Sequence, residues 1–260
     1  MDLQLTGKTA FVTGSTAGIG FAIAESLARE GASVIVNGRT QARVDAARAR
    51  LGSAKAVGLA ADLGSREGVA LAIERFPAVD ILINNLGIFE PKPFHEITDE
   101  DWFRFFEINI MSGVRLSRHY LPRMMGAGWG RIVFISSESA LQIPVEMIHY
   151  GVTKTAQLAI SRGLAETTGG TNVTVNAVLP GPTASEGVGE FVNQLARQGN
   201  TDRAAVEHEF FRTARPTSIL QRFATPEEVA ALVTFVASPP ASAINGAALR
   251  VDGGVVRSIA

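Results

Sequence analysis

Thr9-Ala10-Phe11-Val12-Thr13-Gly14-Ser15-Thr16-Ala17-Gly18-Ile19-Gly20 starts as a short apolar run and ends as the opening of a helical pattern. The run Thr9–Thr13 reads as a strand and Ile19–Arg29 as a helix, with glycines at 14, 18 and 20 in the turn between them. Such a turn lets the chain leave the strand sharply, brings backbone N–H groups close to an anion and seats the helix tightly on its sheet. Three residues separate the first two glycines, unlike the common GxGxxG spacing, and no Gly-Lys-Ser/Thr follows, so this is not a P-loop. A tight turn alone would explain the glycines. Their position directly after a buried strand and at the mouth of a helix favours a seat for a dinucleotide pyrophosphate.

Outward from this turn, β-rich apolar runs alternate with longer Ala- and Leu-rich stretches. The strands read as Thr9–Thr13, Ser33–Asn37, Ala56–Ala60, Ile81–Asn84, Ile132–Ser136, Val173–Val178 and Ala248–Val251. Their near-continuous apolarity suits strands buried on both faces. Helices are expected near Ile19–Arg29, Gln41–Arg50, Arg66–Arg75, Asp99–Met125, Tyr150–Thr167 and Pro226–Ala237. Alternation of this kind implies an α/β fold, a doubly wound parallel sheet with helices on both faces. Thr225-Pro226-Glu227-Glu228 carries an N-cap, a proline at the first helical position and a capping-box glutamate, and Thr98-Asp99-Glu100-Asp101 is a weaker version. The segment 183–217 breaks the alternation: it is polar and mixed. An insertion after a strand's carboxyl end would lie over the ligand crevice as a lid, or loop out over the surface.

A chain of 260 residues can bury about three quarters of its unfolded surface in one core, so a single domain over 1–260 is expected. The formal net charge of −1 argues against a nucleic-acid partner, which calls for a strongly basic surface. Without cysteine there are neither disulfides nor thiol chemistry. No apolar run approaches the roughly 20 residues of a membrane span, and Met1–Leu5 lacks a signal-peptide pattern. A soluble protein of the cytoplasm is the expectation. His95, His119, His149 and His208 show no metal-ligand spacing, so no metal is expected.

The second informative stretch is Tyr150-Gly151-Val152-Thr153-Lys154, which sets a phenol and an ammonium one helical turn apart on one face. With Thr13–Gly20, Asn84-Asn85-Leu86-Gly87, Asn109, Ser137 and Pro180-Gly181, in this order and spacing, the chain resembles the short-chain dehydrogenase/reductase family along nearly its whole length. The resemblance implies a Rossmann-type seven-stranded sheet, a nicotinamide cofactor and a catalytic set of Asn109, Ser137, Tyr150 and Lys154. It also implies that Gly14, Ser15, Gly18, Ile19 and Gly20 hold the cofactor, together with Asp62, Leu63, Asn85, Gly87, Tyr150, Lys154, Pro180, Gly181 and Thr183. Leu86 departs from the more usual alanine and leaves the adenosine-side contacts open.

The second strand ends in Val36-Asn37-Gly38-Arg39-Thr40. NAD sites usually place an acid there for the ribose 2′-hydroxyl, whereas an arginine accommodates a 2′-phosphate. Gly38 replaces the acid and Arg39 follows, so NADP(H) is expected before NAD. Arg39 can also be read as the start of a basic helix face with Arg43, Arg48 and Arg50.

Reducing a ketone requires an acid beside the carbonyl oxygen as hydride arrives. A free tyrosine titrates at about 10, and Lys154 on the same face would favour its phenolate. By resemblance Tyr150 is the acid/base, Lys154 also holds the nicotinamide ribose, and Asn109 positions a water of a proton relay. Ser137 can stabilise charge on the substrate oxygen; Ser136 points to the opposite side of the strand. Glu138 and Glu146 bracket the active-site loop, as substrate contacts or solvated carboxylates. His149, turned about 100° from Tyr150, is expected at the surface or an interface, and Trp102 with Phe103, Phe105 and Phe106 in packing. The expected activity is NADP(H)-dependent interconversion of a secondary alcohol and a ketone on a small or medium organic substrate. One alternative is a 3-oxoacyl-carrier-protein reductase, for which Arg115, Arg118, Arg123 and Arg131 could form a basic landing surface. Another is a non-catalytic, cofactor-binding regulatory protein, disfavoured by the complete catalytic set. A homotetramer, with a dimer as the alternative, is expected from the two long helices, which pack on symmetry mates in relatives, and from the exposed last strand.

Overall fold

Runs of residues apolar on both faces become seven strands: β1 Thr9–Val12, β2 Ser33–Gly38, β3 Ala56–Ala60, β4 Ile81–Asn84, β5 Gly130–Ile135, β6 Val173–Pro180 and β7 Ala248–Val251. The computed structural model describes residues 1–53, 55–186, 188, 189, 196, 197 and 201–259. All strand pairs are parallel, in the order β3-β2-β1-β4-β5-β6-β7. The order reverses between β1 and β4, paired through Ala10–Ile81, Phe11–Leu82 and Val12–Ile83. Loops leaving the carboxyl ends of these two strands diverge to opposite faces, which opens the crevice where α/β sheets bind ligands.

Among the described residues the helices include α1 Gly18–Arg29, α2 Gln41–Leu51, α3 Arg66–Arg75, α4 Asp99–Phe106, α5 Ser112–Ala127, α6 Ile148–Glu166, α7 Arg203–Thr213 and α8 Pro226–Val236. One face of the sheet packs Ile23 and Leu27 of α1 and Val229 and Val233 of α8 against Val34, Ile83 and Val133. The other packs Leu116 and Tyr120 of α5 against Phe11, Leu82 and Phe134. Each fully buried side chain of this kind contributes about 1.5–3 kcal/mol, so the two cores hold the strand ends rigidly under the crevice. The fold is the expected Rossmann-like, doubly wound seven-stranded sheet.

Local signals behave as their chemistry requires. Thr225 and Glu228 close a full capping box at α8, with Pro226 in the first turn, and Thr98 and Asp101 close one at α4. Two features depart from the sequence reading. The single helix expected over Asp99–Met125 is split by a π-helical turn, Glu107–Met111, between α4 and α5. The segment 183–217 contains α7, capped by Asp202 accepting from the Ala205 N–H. Part of that expected lid, at 187, 190–195 and 198–200, lies outside the described residues.

Candidate active site

The glycine turn is a cradle made of main chain. Gly14 and Gly18 adopt positive φ (60° and 55°), where a side chain would be strained. A Cβ on Gly20 would lie 2.5 Å from both the Gly14 carbonyl oxygen and Asn85 Nδ2, so only glycine admits this approach. The turn is clamped from behind. Asn37 Oδ1 accepts from the Gly14 N–H, and its amide donates to the carbonyls of Leu59 and Ala61. Asn85 donates to the carbonyls of Thr13 and Gly14. The Ser15 hydroxyl faces into the fold, donating to the Val12 carbonyl and accepting from the Asn37 N–H. At the start of α1, Ala17 supplies no side-chain cap, and no acid stands in the first turn. Orphan N–H groups at such a helix start suit a pyrophosphate, and the cradle fits one.

Around this cradle, Arg39 is exposed at the end of β2 with no ion pair among the described residues. Arg43 reaches across to Glu186 at 3.1 Å. Asp62 is exposed and its Oδ1 accepts from the Gly64 N–H, while Leu63 is buried in the core. Gly181 lies so close to the end of β7 that a Cβ would meet the Asp252 carbonyl oxygen at 2.5 Å. Thr183 is buried and donates to the Gly181 carbonyl.

The chemical groups gather at the carboxyl ends of β4, β5 and β6. Tyr150 and Lys154 share one face of α6, with Lys154 Nζ 5.6 Å from the centre of the Tyr150 ring. Lys154 is buried and donates to the Ile135 carbonyl at 2.9 Å. Burial brings its pKa down to about 8, with the Glu138 carboxylate working against the shift. Burial holds the Tyr150 phenol well above its usual value, and Glu138 adds to this; the Ser137 hydroxyl and Arg215 pull the other way. Desolvation of the phenol and the neighbouring carboxylate both act against the phenolate form that Lys154 is expected to favour.

Ser137 leaves β5 in extended conformation and caps a short 3₁₀ turn. The neighbouring Ser136 hydroxyl donates to the Lys154 carbonyl, so alternation along the strand separates the two serines as expected. Asn109 sits in the π turn. Its amide donates to the Ile88 carbonyl and to Thr153 Oγ1, and its Oδ1 accepts from the Ile88 N–H. Its carbonyl accepts from Gln157 Nε2 at 2.6 Å, and Gln157 Oε1 lies 3.4 Å from Lys154 Nζ. The path from Asn109 to Lys154 thus runs through the Gln157 amide. Gln157 went unnoticed in the sequence, although it lies one turn beyond Lys154 on the same helix face.

A cavity of about 1060 Å³ brings together Ile19, Asn85, Gly87, Ser137, Tyr150, Lys154, Pro180, Gly181 and Thr183. Gly14, Ser15, Gly18, Gly20, Arg39, Asp62, Leu63 and Asn109 stand behind or beside it. The cavity is also lined by Phe89, Met147, Val206 and Phe210 and by a charged triplet. Arg215, just after α7, donates from Nε to Glu138 Oε1 at 3.1 Å and from Nη1 to Glu146 Oε1 at 2.9 Å. Burial opposes its charge, yet the two carboxylates hold its pKa above the ordinary arginine value. Glu138 Oε2 accepts from the Ser137 hydroxyl.

Two expectations fail nearby. His149 is buried within the protein, its ring 4.0 Å from that of Phe105 and 6.0 Å from that of Trp102, instead of at the surface or an interface. Phe103 and Phe106 are 73% and 50% exposed, so only Phe105 of the three phenylalanines is a packing residue within this chain.

Cradle, phenol and buried ammonium fit an oxidoreductase that works with a nicotinamide nucleotide on hydroxyl or keto groups. A family model described as Enoyl-(Acyl carrier protein) reductase matches residues 14–256. The chain is 54% identical to the uncharacterized oxidoreductase YvaG of Bacillus subtilis (strain 168), over 100% of both chains. It is 35% identical to a 3-oxoacyl-[acyl-carrier-protein] reductase of Aquifex aeolicus (strain VF5), over 98% of this chain and 100% of that one. A structure of L-sorbose reductase from Gluconobacter frateurii, complexed with NADPH and L-sorbose, matches with a TM-score of 0.94 and 32% identity over 100% of both chains. The protein belongs to the short-chain dehydrogenase/reductase family.

Proposed function

We propose that the protein is an NADP(H)-dependent oxidoreductase that interconverts a secondary alcohol and a ketone on a small or medium organic substrate, with Tyr150 as acid/base. The observation that carries this reading is the convergence of Tyr150, Lys154 and Ser137 on one cavity with Ile19 of the glycine turn. A bound nicotinamide would supply the hydride that adds to the carbonyl carbon. Tyr150 gives its proton to the carbonyl oxygen, and the product leaves as the alcohol. Ser137 donates a hydrogen bond to that oxygen as charge develops on it. Lys154 orients the cofactor ribose and, through Gln157, stays coupled to Asn109. The raised pKa of Tyr150 suits the acid role.

Preference for NADPH rests on exposed Arg39 beside Gly38, where no acid competes for the ribose; the L-sorbose reductase relative also binds NADPH. We read residues 1–260 as one domain with 183–217 as its lid, acting in the cytoplasm. Exposed Phe103 and Phe106 on α4, with half-exposed Val152 on α6, support association into a homotetramer. The 3-oxoacyl-carrier-protein reductase reading is favoured by the Aquifex relative. Its basic landing surface is smaller than expected: Arg131 is buried and donates to the carbonyls of Gly130, Asn172 and Ser238, and Arg115 pairs with Glu107.

The reading is tested by following NADPH absorbance with a panel of small ketones and with a 3-oxoacyl thioester. Ketone-dependent NADPH loss, faster than with NADH, is the expected result; oxidation of neither nucleotide by any ketone would refute it. Light scattering at micromolar concentration checks the assembly, where a stable monomer mass would rule out both patches as interfaces.

A further inference from the structure

We infer that the Glu138–Arg215–Glu146 triplet sets the substrate class of this site: neutral ketones that carry a hydroxyl group next to the carbonyl, with carboxylate substrates excluded. The inference rests on the proposed role of Ser137 as donor to the substrate oxygen. Ser137 has a single O–H, and in this structure it donates to Glu138 Oε2. When that proton turns to a substrate carbonyl, Glu138 loses one donor while 5% exposed. A buried carboxylate left short of a donor is costly. A substrate hydroxyl on the carbon beside the carbonyl would stand near Ser137 and can take the vacated position on Oε2. Hydroxylated substrates thus exchange a partner where plain ketones only remove one.

Charge points the same way. Arg215 is 8% exposed and its guanidinium donates to Glu138, Glu146 and the Ala214 carbonyl. Glu209 also lines the cavity. Lys154 is occupied by the Ile135 carbonyl and Gln157. Among the described residues lining the cavity, a substrate carboxylate would find carboxylates and no unengaged cation. Like charges brought together in a desolvated site repel strongly.

Three ethyl ketones of matched size test this with the whole enzyme and NADPH: hydroxymethyl ethyl ketone, diethyl ketone and α-ketobutyrate. The hydroxyketone should exceed diethyl ketone in kcat/KM by at least ~10²-fold, chiefly through KM, with α-ketobutyrate the poorest. In Glu138→Gln the ratio of hydroxyketone to diethyl ketone should fall below about tenfold, and α-ketobutyrate should gain relative to both. Ratios within one variant cancel any general loss of rate or folded protein. Equal use of the three ketones by the unmodified enzyme, or an unchanged ratio in Glu138→Gln, would overturn the inference and leave the catalytic reading intact. A calorimetric titration of the NADP⁺ complex separates the two readings. If the hydroxyketone binds there and α-ketobutyrate does not, yet no ketone turns over, the catalytic reading fails and the recognition stands.

Discussion

On the β1–β2–β3 side of the crevice the protein presents main chain, whereas on the β5–β6 side it presents side chains. The first side consists of glycines at positive φ or in close approach, held by Asn37 and Asn85, with Arg39 exposed at its rim. The second concentrates Tyr150, Lys154 and Arg215, each perturbed by burial and by charged neighbours, around the Glu138 carboxylate. A nucleotide can be recognised by shape and N–H direction, which needs nothing that titrates. Proton transfer needs groups whose charge changes, and low dielectric makes their neighbours matter. Substitutions on the two sides should therefore fail in different ways.

The largest effect is expected on the second side. Tyr150→Phe should lower kcat by at least ~10²-fold, while tryptophan fluorescence titration finds NADPH affinity nearly intact. A variant that keeps most of its rate would remove the tyrosine from the chemistry. On the first side, Gly20→Ala drives a methyl into the Gly14 carbonyl and Asn85, and should cost about 1–3 kcal/mol in stability and cofactor binding. Its kcat at saturating NADPH should fall much less than its affinity. A normal melting temperature and Kd would mean that the cradle tolerates a Cβ, against the geometry described.

The third contrast is in pH. Lys154, brought down to about 8, keeps its proton at neutral pH and loses it above that value. Tyr150, raised instead, stays protonated across the same range. Ketone reduction should accordingly be level from pH 6 to 7.5 and fall toward tenfold per unit above about 8, whereas NADPH binding away from Lys154 should titrate little there. A reductive rate that climbs through pH 9 would contradict this assignment. The smallest effect is expected at the rim: Arg39→Ala should weaken NADPH roughly tenfold through loss of a charge-assisted contact, and NADH hardly at all. Equal loss for both nucleotides would show that Arg39 does not meet the 2′-phosphate.

How much of this was legible follows the same division. Strands buried on both faces announce themselves by continuous apolarity, and β4 lies where that pattern put it; the edge strands β3 and β7 also match their expected bounds, although they are only partly buried. Thr225-Pro226-Glu227-Glu228 carries its cap chemistry locally, so the start of α8 was readable too. The glycine turn was legible because backbone strain requires glycine wherever it occurs. The site residues were a different matter. Spacing alone identified Tyr150 with Lys154; Asn109 and Ser137 came through family resemblance. Arg215 is 77 residues from Glu138, and no local signal joins them. Asn37 and Gln157 are likewise clamps whose partners come from other elements. His149 was misjudged because the helix angle from Tyr150 says where a ring points and nothing of the α4 rings that cover it.

The π turn at Glu107–Met111 has a bearing on which insertions and deletions this chain can accept. It holds one residue more than an α-helical turn would need. Removing that residue would restore regular hydrogen bonding, and on local propensity alone would look harmless. It would also turn α4 against α5 by about 100° and shift it by about 1.5 Å. Leu116, Tyr120 and Leu121 anchor α5 in the core, so α4 would have to rotate, withdrawing Phe105 from His149 and dragging Asn109 off Thr153 and Ile88. The surplus residue acts as a phase adjuster between two helices that answer to different neighbours. Length variation in this family member should be tolerated at loop tips and forbidden within these five residues.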